Sequence, residues 1–412
     1  MDEVEVPSYF LCPISLEIMN DPVTVPTGIT YNRESIERWL FSSSASSRNH
    51  TCPVTKQPVP PDCELTPNHT LRRLIQSWCV INASKGVERI PTPKPPVSRA
   101  QVTKLIRDAA KSPQTKLGCL RRLKSIASQS DANKHCIEAA GALEFLASVI
   151  HEASCGNGLV TPLIDEALSV LYSLHVSEAK LRNIVDVEIV ESLAIIMQTG
   201  TYDSRAYAVM LLNKMLEVAE PAQLTCLADW LFTEVVQVLR DRISQRATKA
   251  ALKLLIHLSP LGRNRIKVVA AGAMPVLLEL LLEHNSLASE HIRVCEMVLT
   301  AMDILCRSAE GRAELLSHEA GIAVVSKKIL RVSHAASERA VRILLSVSRF
   351  SGTPRVLEEM LQVGVVTKLC LVLQVECSSR TKETATEILR MNARTWNNSP
   401  CVPRSLLSWY PN

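Results

Sequence analysis

Two short segments near the start of the chain, Cys12-Pro-Ile-Ser15 and Cys52-Pro-Val-Thr55, carry residues with chemical potential. Each begins with a cysteine, and zinc-binding proteins place a second thiolate at such a spacing. Here a hydroxyl, from Ser15 or Thr55, stands in that second position. A domain with two tetrahedral zinc sites needs eight Cys or His ligands. This region offers Cys12, Cys52, Cys63, Cys79, His50 and His69. The sequence therefore predicts no metal site and no cofactor.

A hairpin and two helices are predicted around these segments. In PVTVPTGITY, two short extended pieces flank Thr27-Gly28, and glycine supplies the backbone freedom that a tight turn needs. Asn32 can cap the helix that follows, whose apolar face comprises Ile36, Trp39 and Leu40. A loop from Phe41 to Pro61 then leads to a second helix, which starts near Asn68 and buries Leu71, Leu74, Ile75 and Trp78.

The order of these motifs resembles the U-box family. The resemblance rests on three consecutive segments, FLCPISLEIMNDPVTVPTGITYNRESIERWL, TCPVTKQPV and LTPNHTLRRLIQSW. The family has the cross-braced shape of zinc-binding RING domains, but hydrogen bonds and salt bridges hold it together, and partly buried polar groups must pair with one another. The resemblance implies that this network comprises Ser15, Glu17, Asp21, Arg33, Thr55 and Asn68. Taken singly, each is equally an ordinary loop or cap residue.

U-box proteins are ubiquitin-protein ligases, and the resemblance places their docking residues in two loops. At the position of Ile14 the family packs an apolar side chain against a ubiquitin-conjugating enzyme, assisted by a proline that corresponds to Pro53. Lys56 stands where many such ligases place a basic residue that bridges the enzyme and ubiquitin. The alternatives are a core position for Ile14 and a solvated loop position for Lys56. The U-box is also a candidate surface for self-association.

Catalysis by a U-box ligase implies no covalent step on the ligase itself. Such a protein holds the ubiquitin thioester and the acceptor lysine in a reactive arrangement, so the rate increase comes from proximity and orientation. The alternative is that Cys12 or Cys52 acts as a thioester nucleophile. Neither cysteine has a base signature nearby in the sequence.

The rest of the chain is repetitive. A small-residue turn followed by an apolar helix recurs around Gly141, Gly272, Gly321 and Gly364, and weaker copies are anchored at Glu188 and Trp230. Successive anchors lie 47, 42, 42, 49 and 43 residues apart, which is the period of two- or three-helix solenoid repeats. The turn and the period resemble armadillo repeats. A U-box followed by such repeats resembles the plant U-box armadillo ligases, which implies a role in plant stress or immune signalling.

An armadillo solenoid implies a groove for a protein substrate. In the armadillo family, the helix after each apolar helix lines this groove. In this chain that helix contributes Lys214, Lys249, Lys253, His257 and Arg342. Because several of these residues are basic, an acidic or phosphorylated partner segment is predicted. The alternative for each residue is an ordinary solvated face.

Composition limits the other functional classes. The net charge is +5 without a dense Lys/Arg block, so no nucleic-acid partner is predicted. The 13 cysteines form no disulfide framework and indicate a reducing compartment. The acidic start MDEVEVPSYF is not typical of a signal peptide, and no apolar run is long enough for a transmembrane segment. We expect a cytoplasmic protein, with the nucleus left open.

The sequence thus predicts a mainly α protein, in which a small α+β U-box, RING-like and zinc-free, precedes an armadillo-type α-solenoid. The predicted boundaries are residues 7–83 for the U-box, 84–98 for a Pro-rich linker, 99–394 for the repeats and 395–412 for a C-terminal tail. The predicted function is a ubiquitin-protein ligase with a charged conjugating enzyme and a protein substrate as partners. The alternatives are a non-catalytic armadillo scaffold with a structural U-box, or a nuclear-transport or nucleic-acid adaptor.

Overall fold

A computed structural model describes residues 5–41, 51–60, 65–90, 97–109, 112–155, 161–174, 176–283 and 288–396 of the 412-residue chain. Near the start of the described chain, a short 3-10 helix (Ser8–Phe10) precedes a three-stranded antiparallel sheet. The central strand β1 (Pro22–Thr24) pairs with β2 (Thr30–Asn32) on one side and β3 (Thr66–Pro67) on the other. Gly28 in the hairpin has a φ of +83°, which confirms the predicted turn, because a side chain rarely tolerates this left-handed conformation.

Two helices complete the predicted U-box region, and each departs from the sequence prediction at one residue. Helix α1 spans Arg33–Phe41 and α2 spans His69–Ile81. Asn68 caps α2 as predicted, because its side chain accepts from the Leu71 N–H at 3.0 Å. The prediction of a buried Leu74 is wrong: its side chain is 53% exposed, and Cys79 is buried on that helix instead. The Asn32 side chain, expected to cap α1, accepts from the N–H groups of Asn20 and Asp21 at 3.1 Å.

The rest of the described chain is helical. Helices α3 (Arg99–Ala109) and α4 (Pro113–Ala127) pack together, and sets of three helices follow. In chain order these helices are α5 (Asp131–Ala139), α6 (Ala142–Cys155), α7 (Thr161–Ser173); α8 (Glu178–Ile184), α9 (Val187–Thr199), α10 (Tyr202–Val218); α11 (Pro221–Thr225), α12 (Asp229–Asp241), α13 (Gln245–Leu258); α14 (Gly262–Ala270), α15 (Ala273–Glu283), α16 (Ser289–Leu305); α17 (Ala309–Ser317), α18 (Gly321–Lys327), α19 (His334–Ser351); and α20 (Pro354–Gln362), α21 (Val365–Gln374), α22 (Ser379–Met391). A last short helix, α23, spans Ala393–Trp396.

The repeating turn lies between the first and second helix of a set. Gly141, Gly272 and Gly364 occupy it with φ values of +82°, +75° and +75°. Glycine is favoured there because it has no Cβ to clash in the left-handed region. Gly321 serves a different purpose, since it begins α18 and an added Cβ would lie 2.1 Å from the Leu315 carbonyl oxygen. The predicted small-residue anchors therefore have two distinct physical causes.

The chain forms two compact units, residues 1–149 with 169–177 and residues 150–168 with 178–412. In the first unit, α1 of the U-box contacts α5. In the second unit, the third helix of each set packs against the third helix of the next, in the order α10, α13, α16, α19 and α22. We call these five the ladder helices and their exposed faces the ladder surface. Among the described residues, no helix is long and apolar enough to cross a bilayer.

Candidate functional site

Two loops of the U-box share one backbone geometry. In the first loop (residues 11–18), the Cys12 N–H donates to the Glu17 carbonyl at 2.8 Å, and the Cys12 carbonyl accepts from the Leu16 N–H at 2.8 Å. In the second loop (residues 51–58), Cys52 makes the corresponding bonds with Gln57 at 2.8 Å and Lys56 at 2.9 Å. A single antiparallel bridge closes the base of each loop. The two cysteine segments are therefore equivalent structural elements.

The tip of each loop bends through a residue with a left-handed backbone. Leu16 and Lys56 occupy equivalent positions, each with a φ of +59°. Both side chains are exposed. A non-glycine residue in this region is uncommon and mildly strained. The turn therefore projects the side chains of Leu16 and Lys56 away from the domain.

The thiols of Cys12 and Cys52 are fully buried and act as hydrogen-bond centres. Cys12 Sγ accepts from the Asn32 N–H at 3.3 Å and is hydrogen-bonded to the Ser15 hydroxyl. Burial raises the pKa of Cys12, but these hydrogen bonds outweigh it and lower the pKa. For Cys52, burial likewise raises the pKa, whereas hydrogen bonds with Thr55 and Tyr31 lower it to about 6. The hydroxyls that replace a second thiolate therefore contact the cysteine that remains.

Two aromatic side chains join the second loop to the rest of the U-box, and the sequence analysis did not assign this role to either. Tyr31 on β2 is buried, and its hydroxyl lies 3.0 Å from Cys52 Sγ and accepts from the Val54 N–H at 3.3 Å. The indole N–H of Trp39 donates to the Thr51 carbonyl at 2.9 Å. The sequence signal that could have revealed the role of Tyr31 was a tyrosine at an inward position of a short strand. A buried hydroxyl needs a hydrogen-bond partner.

An ion-pair network connects Asp21, which precedes β1, to both helices. Arg33 at the start of α1 binds Asp21 at 2.6 Å and lies 3.7 Å from Glu37. Arg72 on α2 reaches Asp21 at 3.9 Å. Asn68 adds a side-chain contact of 3.5 Å to Thr30 on β2. Of the residues predicted to form this network, Glu17 contributes a backbone carbonyl and keeps its side chain exposed.

Glu37 is a buried carboxyl that the sequence analysis overlooked. It lies on α1 with 4% of its surface exposed, and Oε1 has no hydrogen-bond partner. Burial raises the pKa of Glu37 to about 7, partly opposed by the Arg33 charge, and the Asp131 and Asp21 charges raise it further. A cavity of about 540 Å³ beside this carboxyl is lined by α1, by Asn20, Asp21 and Asn32, and by residues from Ala127 to Lys134. The U-box therefore has a titrating group at its contact with the first repeat.

The three predicted docking residues lie in the two loops. Ile14 and Pro53 are half-buried, and Lys56 is exposed. Ile14 packs on its inner side against the U-box core, which includes Phe10, Cys12 and Met19. The predicted docking role therefore needs the outer part of the Ile14 side chain to be free for a partner. The alternative, a core position, applies to the inner part.

The five predicted groove residues all lie on ladder helices but differ in their surroundings. Lys214 on α10 is half-buried, and burial lowers its pKa, partly offset by the Glu217 charge. Lys249 on α13 pairs with Glu290 on α16 at 3.1 Å. Lys253 and His257 on α13 are exposed, and neither makes an ion pair within the described chain. Arg342 on α19 pairs at 3.2 Å with Asp303, a buried aspartate that sequence reasoning missed.

Metal ligands are not clustered in the part of the chain that the structure describes, where no three His, Cys, Asp or Glu side chains converge on a common point. Two of the residues weighed as ligands, His50 and Cys63, lie outside the described residues. Cys12 and Cys52 have their thiols engaged by hydroxyl and backbone groups. The chemistry of the loops is therefore that of a hydrogen-bond network.

The paired loops, the small sheet and the three-helix repeats define a U-box joined to an armadillo solenoid. The chain matches the family "U-box domain" over residues 6–84 and the family "Plant U-box protein ARM repeat region" over residues 101–411. It belongs to the plant U-box proteins with ARM repeats and is an E3 ubiquitin-protein ligase. The U-box implies binding of a ubiquitin-conjugating enzyme, and ARM repeats bind peptides.

Two relatives from Arabidopsis thaliana cover essentially the whole chain. E3 ubiquitin-protein ligase PUB23 is 56% identical over 414 residues, which cover 100% of this chain and 98% of the relative. E3 ubiquitin-protein ligase PUB22 is 51% identical over 438 residues, which cover 99% of each. A solved structure titled "A conserved phosphorylation switch controls the interaction between cadherin and beta-catenin in vitro and in vivo" matches with a TM-score of 0.59 and 16% identity, over 83% of this chain and 60% of that one. That likeness shows the fold alone.

Proposed function

We propose that the two U-box loops dock a ubiquitin-charged conjugating enzyme while the ladder surface holds the protein substrate. The observation that carries this proposal is the shared geometry of the loops, which presents Ile14, Pro53 and Lys56 from two rigid turns. Ile14 and Pro53 supply an apolar contact, and the exposed Lys56 supplies a cation beside it. An apolar centre with a charged rim suits a transient protein interface.

Ubiquitin passes directly from the conjugating enzyme to a lysine of the substrate in this proposal. Cys12 and Cys52 support a direct transfer, since neither thiol is accessible to a ubiquitin thioester. The ligase then contributes proximity and orientation, and no bond to ubiquitin forms on it. Lys56 acts as an electrostatic bridge between the conjugating enzyme and ubiquitin, with less geometric constraint than an arginine would impose.

Replacing Ile14 with alanine in the full-length protein tests the docking assignment. If the outer part of the side chain is buried against the enzyme, the change removes about 2 kcal/mol of contact and weakens docking roughly tenfold or more. Self-ubiquitination and discharge of the conjugating enzyme onto free lysine should both fall, with a small loss of thermal stability.

Ile18→Ala is the matched control, because Ile18 is also half-buried in the first loop and packs on the same core. It should cost stability without a comparable loss of discharge. If the two variants lose discharge in proportion to their loss of stability, Ile14 is a core residue and the docking assignment fails.

A further inference from the structure

Three arginines converge on one buried carboxylate oxygen in the second unit. Asp303 lies on α16 with its side chain 5% exposed. Its Oδ2 lies 3.1 Å from Arg339 Nη1, 3.2 Å from Arg342 Nη2 and 3.9 Å from Arg307 Nη2. Arg307 follows Asp303 by one helical turn, whereas Arg339 and Arg342 come from α19, the next ladder helix. We call these four residues the arginine cluster.

The charges of the arginine cluster do not balance. Three guanidiniums face one carboxylate, which leaves a net charge of +2, and in the described chain no other carboxylate lies within ion-pair distance of these arginines. Each guanidinium has five N–H donors, many more than a single carboxylate can accept. The arginine side chains are 49%, 33% and 22% exposed for Arg307, Arg339 and Arg342, so their remaining donors reach the surface.

Other ion pairs between ladder helices are balanced. Lys249 pairs with Glu290 between α13 and α16, and Arg349 pairs with Glu387 between α19 and α22. Each matches one cation with one carboxylate, which is sufficient to join two repeats. An excess of two cations costs mutual repulsion, so packing of the repeats does not account for it. The excess charge indicates a site for an anion.

We propose that the arginine cluster binds a phosphorylated serine or threonine side chain of the protein substrate. This inference rests on the proposed function, in which the ladder surface holds the substrate. A phosphate monoester carries a charge close to −2 near neutral pH and offers oxygens that match the forked donors of arginine. Asp303 preorganises the three guanidiniums before the phosphate binds. Binding therefore costs less side-chain conformational entropy.

The test is a titration of the full-length protein with O-phospho-L-serine at constant ionic strength, followed by ³¹P line broadening. L-serine and L-glutamate serve as competitors that lack the phosphate. Arg339→Gln/Arg342→Gln should weaken phosphoserine binding by roughly tenfold or more, because two charge-assisted contacts are lost. Arg349→Gln is the matched control on the same helix, and its binding should stay within about twofold of the wild type.

Folding and function are monitored separately. If the double variant fails to fold, Arg307→Gln replaces it, since Arg307 makes the longest contact to Asp303. No phosphoserine binding by the wild type, equal loss in the Arg349 control, or equal competition by L-glutamate would each overturn the inference. Discharge of the conjugating enzyme onto free lysine should be unchanged in every variant. If a variant that no longer binds phosphoserine still captures the substrate, the arginine cluster is not the substrate site. The proposed function would then still stand.

Discussion

Hydroxyl side chains stabilise both U-box loops in the places where zinc-binding loops have thiolates. Ser15 and Thr55 each hydrogen-bond to the cysteine that begins their segment. The bonds from backbone N–H groups to these sulfurs then hold the loop in the same bend. Because the polar groups are satisfied inside the loop, its outer edge is available for an apolar contact.

Lys56 combines a strained backbone with a charged side chain, and one substitution separates these two properties. Its φ of +59° costs about 1 kcal/mol relative to an ordinary conformation, and asparagine adopts this region more readily. Lys56→Asn should therefore keep or slightly raise the melting temperature, yet slow discharge of the conjugating enzyme severalfold. Lys56→Arg should retain discharge. Unchanged discharge in the asparagine variant would identify Lys56 as a solvated loop lysine.

Glu37 predicts a pH dependence of stability. Its folded pKa is about 7 against an ordinary value of 4.5, so the folded state holds the proton more tightly than the unfolded chain. The favourable contribution is therefore complete below pH 4.5 and is lost as the pH rises through 7. Glu37→Gln should stabilise the protein at pH 8 by at most about 3 kcal/mol and have little effect at pH 4.

Glu34→Gln is the matched control on the same helix. The carboxyl of Glu34 is largely exposed and pairs with the equally exposed Arg38. Such surface pairs contribute little to stability, so this variant should follow the wild type at both pH values. A Glu37→Gln variant that is destabilised at pH 8 would show that its ion pair with Arg33 outweighs the cost of burial.

At the scale of helices and strands, periodic patterns predicted most of the fold. The hairpin around Gly28, the cap at Asn68 and the repeating helices follow from local rules of turns, caps and apolar spacing. The prediction that Leu74 is buried was wrong because only a narrow face of α2 is covered. The buried residues of that face are Ile75 and Cys79. A pattern of apolar residues cannot show how wide the covered face is.

The charged sites could be predicted only in part, because their partners come from distant elements. The repeat pattern placed Arg342 on the helix that follows an apolar helix, as a candidate groove residue. Asp303 is separated from Arg339 by 36 residues, so only the stacking of α16 on α19 brings them together. Glu37 was missed because its raised pKa depends on burial that the sequence does not reveal. Tertiary contacts therefore determine the electrostatics of both sites.

The ladder helices give a specific prediction for substrate binding. Lys253 is exposed on α13, whereas Lys249 on the same helix is engaged with Glu290. Lys253→Glu should therefore reduce capture of the proteins that the wild type retains, while discharge onto free lysine stays unchanged. Arg263→Glu is the matched control, because Arg263 is an exposed cation on α14, outside the ladder helices. Quantitative mass spectrometry would measure the proteins captured by each variant. Equal losses in the two variants would contradict substrate binding on the ladder surface.

At the scale of the whole molecule, α23, the last described helix, is tied to the preceding set of helices. Trp396, just beyond the predicted repeat boundary at residue 394, is fully buried, and its indole N–H donates to the Leu357 carbonyl at 3.1 Å. Trp396→Ala should cost about 3–5 kcal/mol locally. Because repeats contact only their neighbours, hydrogen exchange should accelerate in α20–α22 and stay unchanged in α10–α13. Met391→Ala, at a half-exposed position, should change neither region, and faster exchange in α10–α13 would contradict local coupling.

In the part of the chain that the structure describes, side-chain bonds between repeats join residues about one repeat apart. Arg205 to Asp241 spans 36 residues, Asn264 to Leu224 spans 40, and Lys368 to Ser326 spans 42. Because these contacts are close in sequence, each repeat can fold during synthesis against the repeat that was synthesised before it. Synthesis from the N-terminus therefore presents the U-box first and completes the arginine cluster only when α19 has emerged. A nascent ligase would accept a conjugating enzyme before it can select a phosphorylated substrate.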